Sequence, residues 1–468
     1  MHSHHHPGIG TDTRTAPVAA SVTAQYRARY RRAAEGAGEP ADLLPVTGAQ
    51  RRFLLARRLA PGGRPDVVPL FFAFPRAAVD LDRLRAAAGY LAAVHPALRA
   101  RPGVLRGTPV QRLAAPEAQV SRVLPRPGES GADALRRALA AWPAEGPPLR
   151  CFLADDPAAG EPTELLALAL DHVACDEQSL GRLSAELGAA YRDRRGPGDA
   201  PAALVTEEAA GYREAVHQQL EAEERASTPR SLAYWAQRLA AARPDDAAAQ
   251  DAVRQAAQRP GADGSGAQPP RPTGAAQVRL PAGAHDGRAM VFPVLLDACA
   301  GVARALHGTD PYGADRVPLL GYPWGGRPAA APPVLGCFLN TVVHPALPGA
   351  GADAWWDDLD HADTPFDEVV RAARTAGAAW SGALDGLLTF EDLHRRPPLV
   401  LGDAAGREVH VDGRPLQAPF AVSVSYGTEL LVRMAWDRDA VSDARAEDAF
   451  AGLTRALRDR LGAAAATG

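Results

Sequence analysis

Two side chains that can accept or donate a proton lie close together in the middle of the sequence. His172 and Asp176 are four residues apart in the run Asp171-His172-Val173-Ala174-Cys175-Asp176-Glu177. A neutral imidazole, with an ordinary pKa of about 6.5, can take a proton from an amine or a hydroxyl near neutral pH. We therefore predict that His172 is a general base, or that it orients an acceptor and steadies a tetrahedral oxyanion. The competing interpretation is a core histidine with a structural role, because an HxxxD spacing often arises by chance.

The flanking residues predict a strand, a tight loop and a helix around this pair. The apolar run 165–170 precedes His172, and after it apolar residues recur at helical spacing: Leu180, Leu183, Leu187 and Tyr191. The run is too short for a typical helix, which favours a buried strand. His172 has the same parity as Leu166, Leu168 and Leu170, so a strand continued to its end would point the imidazole to the leucine face.

Composition and charge indicate an ordinary globular protein. The chain has 468 residues, of which 46% are hydrophobic and 23% charged, with a net charge of -4. The slight acidity argues against nucleic acid as a partner. No apolar stretch is long enough for a transmembrane helix, and no signal peptide is visible, so we expect a cytoplasmic protein without membrane contacts. The four cysteines show no paired spacing, and no residue spacing predicts a metal site.

The chain divides into four segments by composition. Residues 1–40, which include His2, His4, His5 and His6, are predicted to be a disordered tail or a tag. Residues 41–228 form a first lobe that carries His172, and residues 282–468 form a second lobe. Residues 229–281 connect them and include the low-complexity stretch Arg243–Ala276, which has too few large apolar residues to bury much surface.

Several motifs in a fixed order resemble the condensation domains of nonribosomal peptide synthetases, which belong to the CoA- and carrier-dependent acyltransferases. The signature of that family reads His-His-x-x-x-Asp-Gly, and here the variant DHxxxDE places Asp171 at the first histidine and Glu177 at the glycine. The resemblance covers residues 44–461. Other matching stretches are Pro45-x-Thr47-x-x-Gln50, Tyr234-Trp235, Gly321-x-Pro323-x-x-Gly326-Arg327, Gly336-x-Phe338-x-Asn340-Thr341 and Pro365-Phe366.

This resemblance implies a fold and an activity. The fold is α/β with mixed sheets, built as two chloramphenicol-acetyltransferase-like lobes in a V-shaped pseudo-dimer with a tunnel at their junction. The phosphopantetheine arm of an acyl or peptidyl carrier protein, or CoA, brings the acyl group, and an amine or alcohol accepts it to give an amide or an ester. No cofactor is bound. Because the sequence shows no carrier, adenylation or thioesterase segment, we expect a stand-alone enzyme of natural-product biosynthesis that acts in trans.

The resemblance also assigns roles to individual residues. It implies that His172 is catalytic and that Asp176 pairs with Arg327 to hold the active-site loop. The candidate substrate or tunnel residues are Asp171, Glu177, Trp324 and Asn340. Cys175 lies three residues from His172, but the family needs no covalent intermediate, so we expect this thiol to pack inward.

A second function remains open. A condensation-like domain that has lost catalysis can instead recruit a partner protein. Retention of His172 favours the acyltransferase, whereas the replacements at Asp171 and Glu177 favour recruitment, because some such domains carry an extra acid after the aspartate.

Overall fold

Each half of the chain builds its own sheet and its own apolar core. The computed structural model describes residues 20–37, 42–59, 66–143, 145–156, 162–242, 273–281, 288–309, 316–349, 351–378, 380–414 and 416–465. Within them, the N-terminal half contains the strands β1 (Leu43–Leu44), β2 (Val67–Pro75), β3 (Ala100–Leu105), β4 (Thr108–Leu113), β5 (Gln119–Arg122), β6 (Leu149–Asp156) and β7 (Thr163–Asp171). Its helices are α1 (Val22–Glu35), α2 (Gly48–Leu59), α3 (Leu81–Val94), α4 (Gly131–Ala140), α5 (Glu177–Arg192) and α6 (Ala202–Ala226).

The C-terminal half contains a six-stranded sheet, one strand larger than the main sheet of the N-terminal half. The helices of the C-terminal half are α7 (Pro229–Ala242), α8 (Arg288–His307), α9 (Gly351–Leu359), α10 (Phe366–Thr375) and α11 (Asp443–Ala465). Its strands are β8 (Gly274–Pro281), β9 (Leu319–Trp324), β10 (Asn340–Pro345), β11 (Gly386–Asp392), β12 (Val400–Leu401), β13 (Ala404–Ala405), β14 (Arg407–Val409), β15 (Phe420–Tyr426) and β16 (Glu429–Trp436). Six of these strands form one mixed sheet in the order β10-β9-β11-β15-β16-β8.

The first lobe is organised around β7, the strand that ends at the predicted catalytic motif. The sheet order is β14-β2-β7-β6-β5, so β7 lies between two antiparallel neighbours. Leu166, Leu168 and Leu170 on one face of β7 join the main core of the lobe, and the small residues Ala167 and Ala169 pack on the other face. Alternation of large and small apolar residues therefore lets helices cover both faces of a central strand.

The first 40 residues are not a disordered tail throughout, which corrects the sequence-based prediction. Helix α1 begins after Ser21, whose hydroxyl accepts the N–H of Ala24 at 3.0 Å as a helix N-cap. Tyr26 is buried, and its hydroxyl accepts the N–H of Val46 at 2.6 Å and donates to the carbonyl of Pro109 at 3.0 Å. The many arginines of this helix hid its narrow apolar face. The N-terminal histidines lie outside the described residues.

The two described parts of the predicted connection at 229–281 belong to the second lobe. Trp235 and Leu239 of α7 are buried in the core of that lobe. Strand β8 pairs with β16 along its whole length and forms an edge of the six-stranded sheet. Residues 243–272, which make up most of the low-complexity stretch, lie outside the described residues.

The two lobes also exchange structure. Strand β14 comes from the C-terminal half but pairs antiparallel with β2, with Val409 opposite Phe71. Leu335 and Phe338 from the second half are likewise buried in the core of the first lobe.

Among the described residues, no helix is both long and apolar enough to span a lipid bilayer.

Candidate functional site

His172 lies just past the end of β7 and begins a 3-10 turn that extends to Ala174. The strand ends one residue earlier than the parity argument required, so the turn sets the direction of the ring. Its Nδ1 lies 3.1 Å from the carbonyl oxygen of Cys175, and the ring stacks on Phe53 with centroids 4.4 Å apart. Because a carbonyl only accepts hydrogen bonds, this contact requires a proton on Nδ1. In the neutral ring, Nε2 is then the nitrogen with the free lone pair.

The surroundings of His172 favour this neutral form. The side chain is only partly exposed, and desolvation lowers its pKa below the ordinary 6.5. Asp66 and Asp171 act in the opposite direction and favour the imidazolium. Asp66 belongs to the support of the turn, since its carbonyl accepts the main-chain N–H of His172 at 2.9 Å. At neutral pH, His172 therefore presents an unprotonated Nε2 with two carboxylates nearby.

Asp176 is surrounded by hydrogen-bond donors and has no free oxygen to offer a substrate. It caps α5 through the N–H of Ser179 at 3.2 Å, and its other oxygen accepts the N–H of Phe338 at 3.0 Å. Arg327 approaches both oxygens, at 2.5 and 3.3 Å. Arg327 also donates to the carbonyl of Val334 at 2.7 Å and lies over the ring of Phe338. The pair predicted from the sequence is thus in contact, and it ties the motif to the second half of the chain.

Asp171, which was predicted to be a substrate or tunnel residue, is engaged in contacts with the protein. Arg57 of α2 binds both carboxylate oxygens, at 2.5 and 2.9 Å. The same carboxylate accepts the N–H of Val173 at 3.0 Å and so caps the turn that carries His172. Such a bidentate pair is directional as well as charged. Asp171 therefore orients the turn against α2.

Glu177, in the position of the signature glycine, makes an ion pair with a residue of the second half. Arg396 donates to it at 2.8 Å and also donates to Glu408 at 2.7 Å, with Glu391 at 3.5 Å. Only 4% of the Arg396 side chain is exposed, whereas Glu177 is about half exposed at 47%. The acidic replacement therefore contributes one of three carboxylates around a buried cation.

Trp324 and Asn340 line a cavity of about 540 Å³ where the two halves meet. The indole N–H of Trp324 donates to Asp363 at 2.8 Å. The amide of Asn340 donates to the carbonyls of Ala362 and Thr364 at 2.8 and 2.7 Å, and its oxygen accepts the N–H of Phe366. Both amide hydrogens of Asn340 are therefore engaged in holding the start of α10. Both residues line the cavity, and their contact with a substrate stays a prediction.

The buried thiols near the motif are poor nucleophiles. Cys175 and Cys337 are fully buried, and burial raises the pKa of both. Cys175 thus packs inward, as the sequence suggested. In the part of the chain that the structure describes, no group of three or more His, Cys, Asp or Glu side chains is placed to hold a metal ion.

No protein-family model matches the sequence, and no curated protein matches it either. The fold of this chain does match solved structures. The first condensation domain of the calcium-dependent antibiotic synthetase, solved in complex with substrate analogue 3a, aligns with a TM-score of 0.63 at 16% identity. The alignment covers 90% of this chain and 96% of that domain. The chain has the condensation-domain fold.

The condensation-domain fold also links this chain to two further structures. The X-domain from teicoplanin biosynthesis aligns with a TM-score of 0.60 at 20% identity, covering 89% of this chain and 95% of that one. The complex of the X-domain and OxyB from teicoplanin biosynthesis gives a TM-score of 0.60 at 18% identity, over 90% and 93% of the two chains. The predicted α/β class with mixed sheets is confirmed.

Within this condensation-domain fold, α2 supplies contacts that sequence reasoning missed. Phe53 stacks on His172, and Arg57 binds Asp171. Arg52 lies 3.9 Å above the ring of Phe366 and donates to the hydroxyl of Thr341, so it reaches from the first lobe to the second. Phe53 and Arg57 are four residues apart, as expected for one side of a helix, whereas Arg52 points in a different direction. The spacing of four residues is a sequence signal that could have found Phe53 and Arg57 together.

Proposed function

We propose that this protein is a condensation-type acyltransferase. It would transfer an acyl or aminoacyl group from the phosphopantetheine arm of a carrier protein, or from CoA, to an amine or hydroxyl acceptor. The observation that carries the proposal is the hydrogen bonding of the His172 ring, which fixes the nitrogen that carries the proton. Its Nδ1–H is held by the Cys175 carbonyl, and its Nε2 is left as a base. The fold of known condensation domains supports the same assignment.

The transfer can be written with a complete balance of atoms. Nε2 of His172 takes the proton of the acceptor nitrogen or oxygen as that atom attacks the thioester carbonyl. The carbon–sulfur bond breaks, an amide or ester bond forms, and the proton is returned to the leaving thiolate. Asp66 and Asp171 would stabilise the imidazolium that forms during the step. Asp176 and Arg327 keep the loop in position and transfer no proton.

The decisive experiment is a mass-spectrometric screen of loaded carrier proteins and CoA thioesters against amine and alcohol acceptors. We expect wild type to give product and His172→Ala to lose roughly 10²–10⁴-fold in turnover while remaining folded, because general base catalysis typically contributes that much. His394→Ala, which changes an exposed histidine, is the matched control and should retain activity. Turnover of folded His172→Ala within a few-fold of wild type would refute the catalytic role.

A second candidate function is recruitment of a partner protein by a catalytically silent domain. Two observations favour it: Asp171 and Glu177 are both held in ion pairs, with Arg57 and Arg396, and one structural neighbour was solved in complex with OxyB. Under this proposal, wild type and His172→Ala give equally little product across the whole screen. Both proteins would also bind the same purified partner with equal affinity by calorimetry.

A further inference from the structure

The six-stranded sheet has one apolar face and one polar face, and the polar face lines a cavity. Phe420, Val422 and Val424 of β15 belong to the apolar core of the second lobe. Ser423 and Ser425, which alternate with them, line a cavity of about 560 Å³. The opposite wall comes from β2 and from the segment that starts at β14. A polar sheet face usually meets solvent, whereas this one meets the first lobe across a space that can hold a small molecule.

Two arginines, Arg414 and Arg433, line this space. Arg433 extends from β16 and donates to the hydroxyls of Ser425 and Ser423 at 2.8 and 3.3 Å. Arg414 follows β14, donates through Nε to the carbonyl of Val411 at 3.1 Å, and has its guanidinium 5.6 Å from the ring centroid of Phe71. Each arginine is thus held through part of its fork. Both arginines are among the residues that line the cavity.

The carboxylates of the lining contact side chains other than Arg414. Glu408 is bound by Arg396 at 2.7 Å and Glu429 by Arg279 at 3.2 Å, and Asp412 lies 3.1 Å from Nε2 of His410. Glu391 lies 3.5 Å from Arg396 and 4.0 Å from Arg433.

Arg414 is a lining cation that these carboxylates do not pair. Across the described residues, it has no ion pair with a carboxylate, although Glu391 and Asp412 lie within electrostatic range. Burial and the positive charge of Arg433 lower the pKa of Arg414. The two positive charges that line the cavity therefore repel each other, and a bound anion would relieve this repulsion.

We propose that this cavity binds the oxyanion group of a small molecule, a carboxylate or a phosphate, through Arg414 and Arg433. The serine hydroxyls beside Arg433 and the backbone contact of Arg414 pre-orient the two forks, which suits bidentate recognition of either group. The site does not depend on acyl transfer. It would operate in either of the two candidate functions.

The test is thermal unfolding of the full chain with inorganic phosphate, succinate and the neutral isostere succinamide, at constant ionic strength. A ligand that binds the native state stabilises it by RT ln(1 + [L]/Kd), so the melting temperature increases with the logarithm of ligand concentration above Kd. We expect a rise of about 2 °C or more with phosphate or succinate. A response to phosphate alone indicates a phosphate ligand, and a response to succinate indicates a carboxylate ligand. Succinamide should give no rise.

Variants at the two arginines make the test specific. Arg414→Gln and Arg433→Gln should each remove the rise, whereas Arg279→Gln should keep it, because Arg279 is exposed at the mouth and paired with Glu429. Without ligand, Arg414→Gln should melt at least as high as wild type, since it removes a repulsive charge. The proposal is overturned if wild type shows no rise, or if a folded variant at Arg414 or Arg433 responds as wild type does.

Discussion

At the scale of single residues, the motif separates a chemical role from structural roles. His172 keeps an unprotonated nitrogen, whereas both acids of the HxxxD neighbourhood are satisfied by arginines. Asp171 and Asp176 therefore hold the turn from its two ends. The pairing partners, Arg57 and Arg327, come from α2 and from the second half of the chain. A substitution in either acid is expected to act through the position of the turn.

The pair Asp176–Arg327 gives a first prediction at this scale. Removing one partner of a buried ion pair strands the other charge, so Asp176→Ala and Arg327→Ala should each lower the free energy of unfolding by about 3–5 kcal/mol. The side chains are only 5% and 14% exposed, so solvent screens them little. Because the two residues are in contact, the double variant should cost clearly less than the sum of the single costs in urea unfolding.

His172→Ala is the control for the double-mutant cycle on Asp176 and Arg327. It should lower the free energy of unfolding much less than Asp176→Ala or Arg327→Ala does, because it leaves no buried charge without a partner. Asp176→Ala with wild-type stability and no activity would instead make Asp176 a catalytic carboxylate. Such a result would overturn the division of roles described above.

At the scale of elements, a buried ionic cluster joins three helices of the first lobe. His95 ends α3 and is almost fully buried, with Glu186 of α5 at 2.5 Å and Glu208 of α6 at 3.3 Å. Arg182 donates to both glutamates. His95 is the C-cap residue of α3, and its main-chain N–H donates to the carbonyl of Leu91. The two glutamates explain why a charged histidine is tolerated at this buried helix end, since buried charges are stable only when paired.

This cluster predicts a pH dependence of stability. Burial acts to lower the pKa of His95, but the two glutamates outweigh it and raise this pKa above 6.5, while His95 and Arg182 outweigh burial and lower the pKa of both glutamates below 4.5. The stabilisation by His95 is fully present below pH 6.5 and is lost as the pH rises through its raised pKa. The stabilisation by the glutamates is present above pH 4.5 and is lost as the pH falls through their lowered pKa values.

The difference in free energy of unfolding between wild type and His95→Gln should therefore be largest between about pH 4.5 and 6.5 and should shrink at alkaline pH. Urea unfolding from pH 4 to 9 measures it. His394→Gln, at an exposed histidine, should show no such trend. A difference that grows with pH above 6.5 would mean that His95 is neutral in the native cluster.

At the scale of the whole molecule, β14 links the two lobes. It leaves the second half of the chain, pairs with β2, and then forms a wall of the cavity that holds Arg414. Strand β2 lies inside the sheet although it contains Pro69, which has no N–H to donate to a neighbouring strand. Among the described residues, β14 pairs with residues 71–73 of β2, so Pro69 lies beyond this pairing.

Gly406 makes this crossing possible and yields the prediction at this scale. A Cβ at this position would lie 2.5 Å from the ring of Phe74 and 3.1 Å from Cβ of Phe72, both buried. Gly406→Val should therefore lower the free energy of unfolding by about 1–3 kcal/mol. Gly452→Ala in α11, where nothing lies within 4 Å, should raise it by about 0.5–1 kcal/mol. Equal stability of wild type and Gly406→Val would show that β14 does not dock as described.

The local patterns along the chain were sufficient for the fold class and for the central motif. Alternating leucines before His172 predicted β7, and the helical spacing of apolar residues after it predicted α5. An element that buries one face needs apolar residues at the period of its secondary structure, and this period is visible in the sequence. The ordered motifs also led to Arg327 as the partner of Asp176. In each of these cases, the signal lies within a few residues or within a matched motif.

Tertiary structure decided what depends on contacts between distant residues. The partners of Asp171 and Glu177 are 114 and 219 residues away, and no periodicity links such positions. Helix α1 was missed because its few buried side chains are hidden among arginines, and β14 was missed because a three-residue strand has almost no pattern of its own. The cavity with Arg414 and Arg433 likewise exists only where two halves of the chain meet, since each arginine alone resembles a solvated charge.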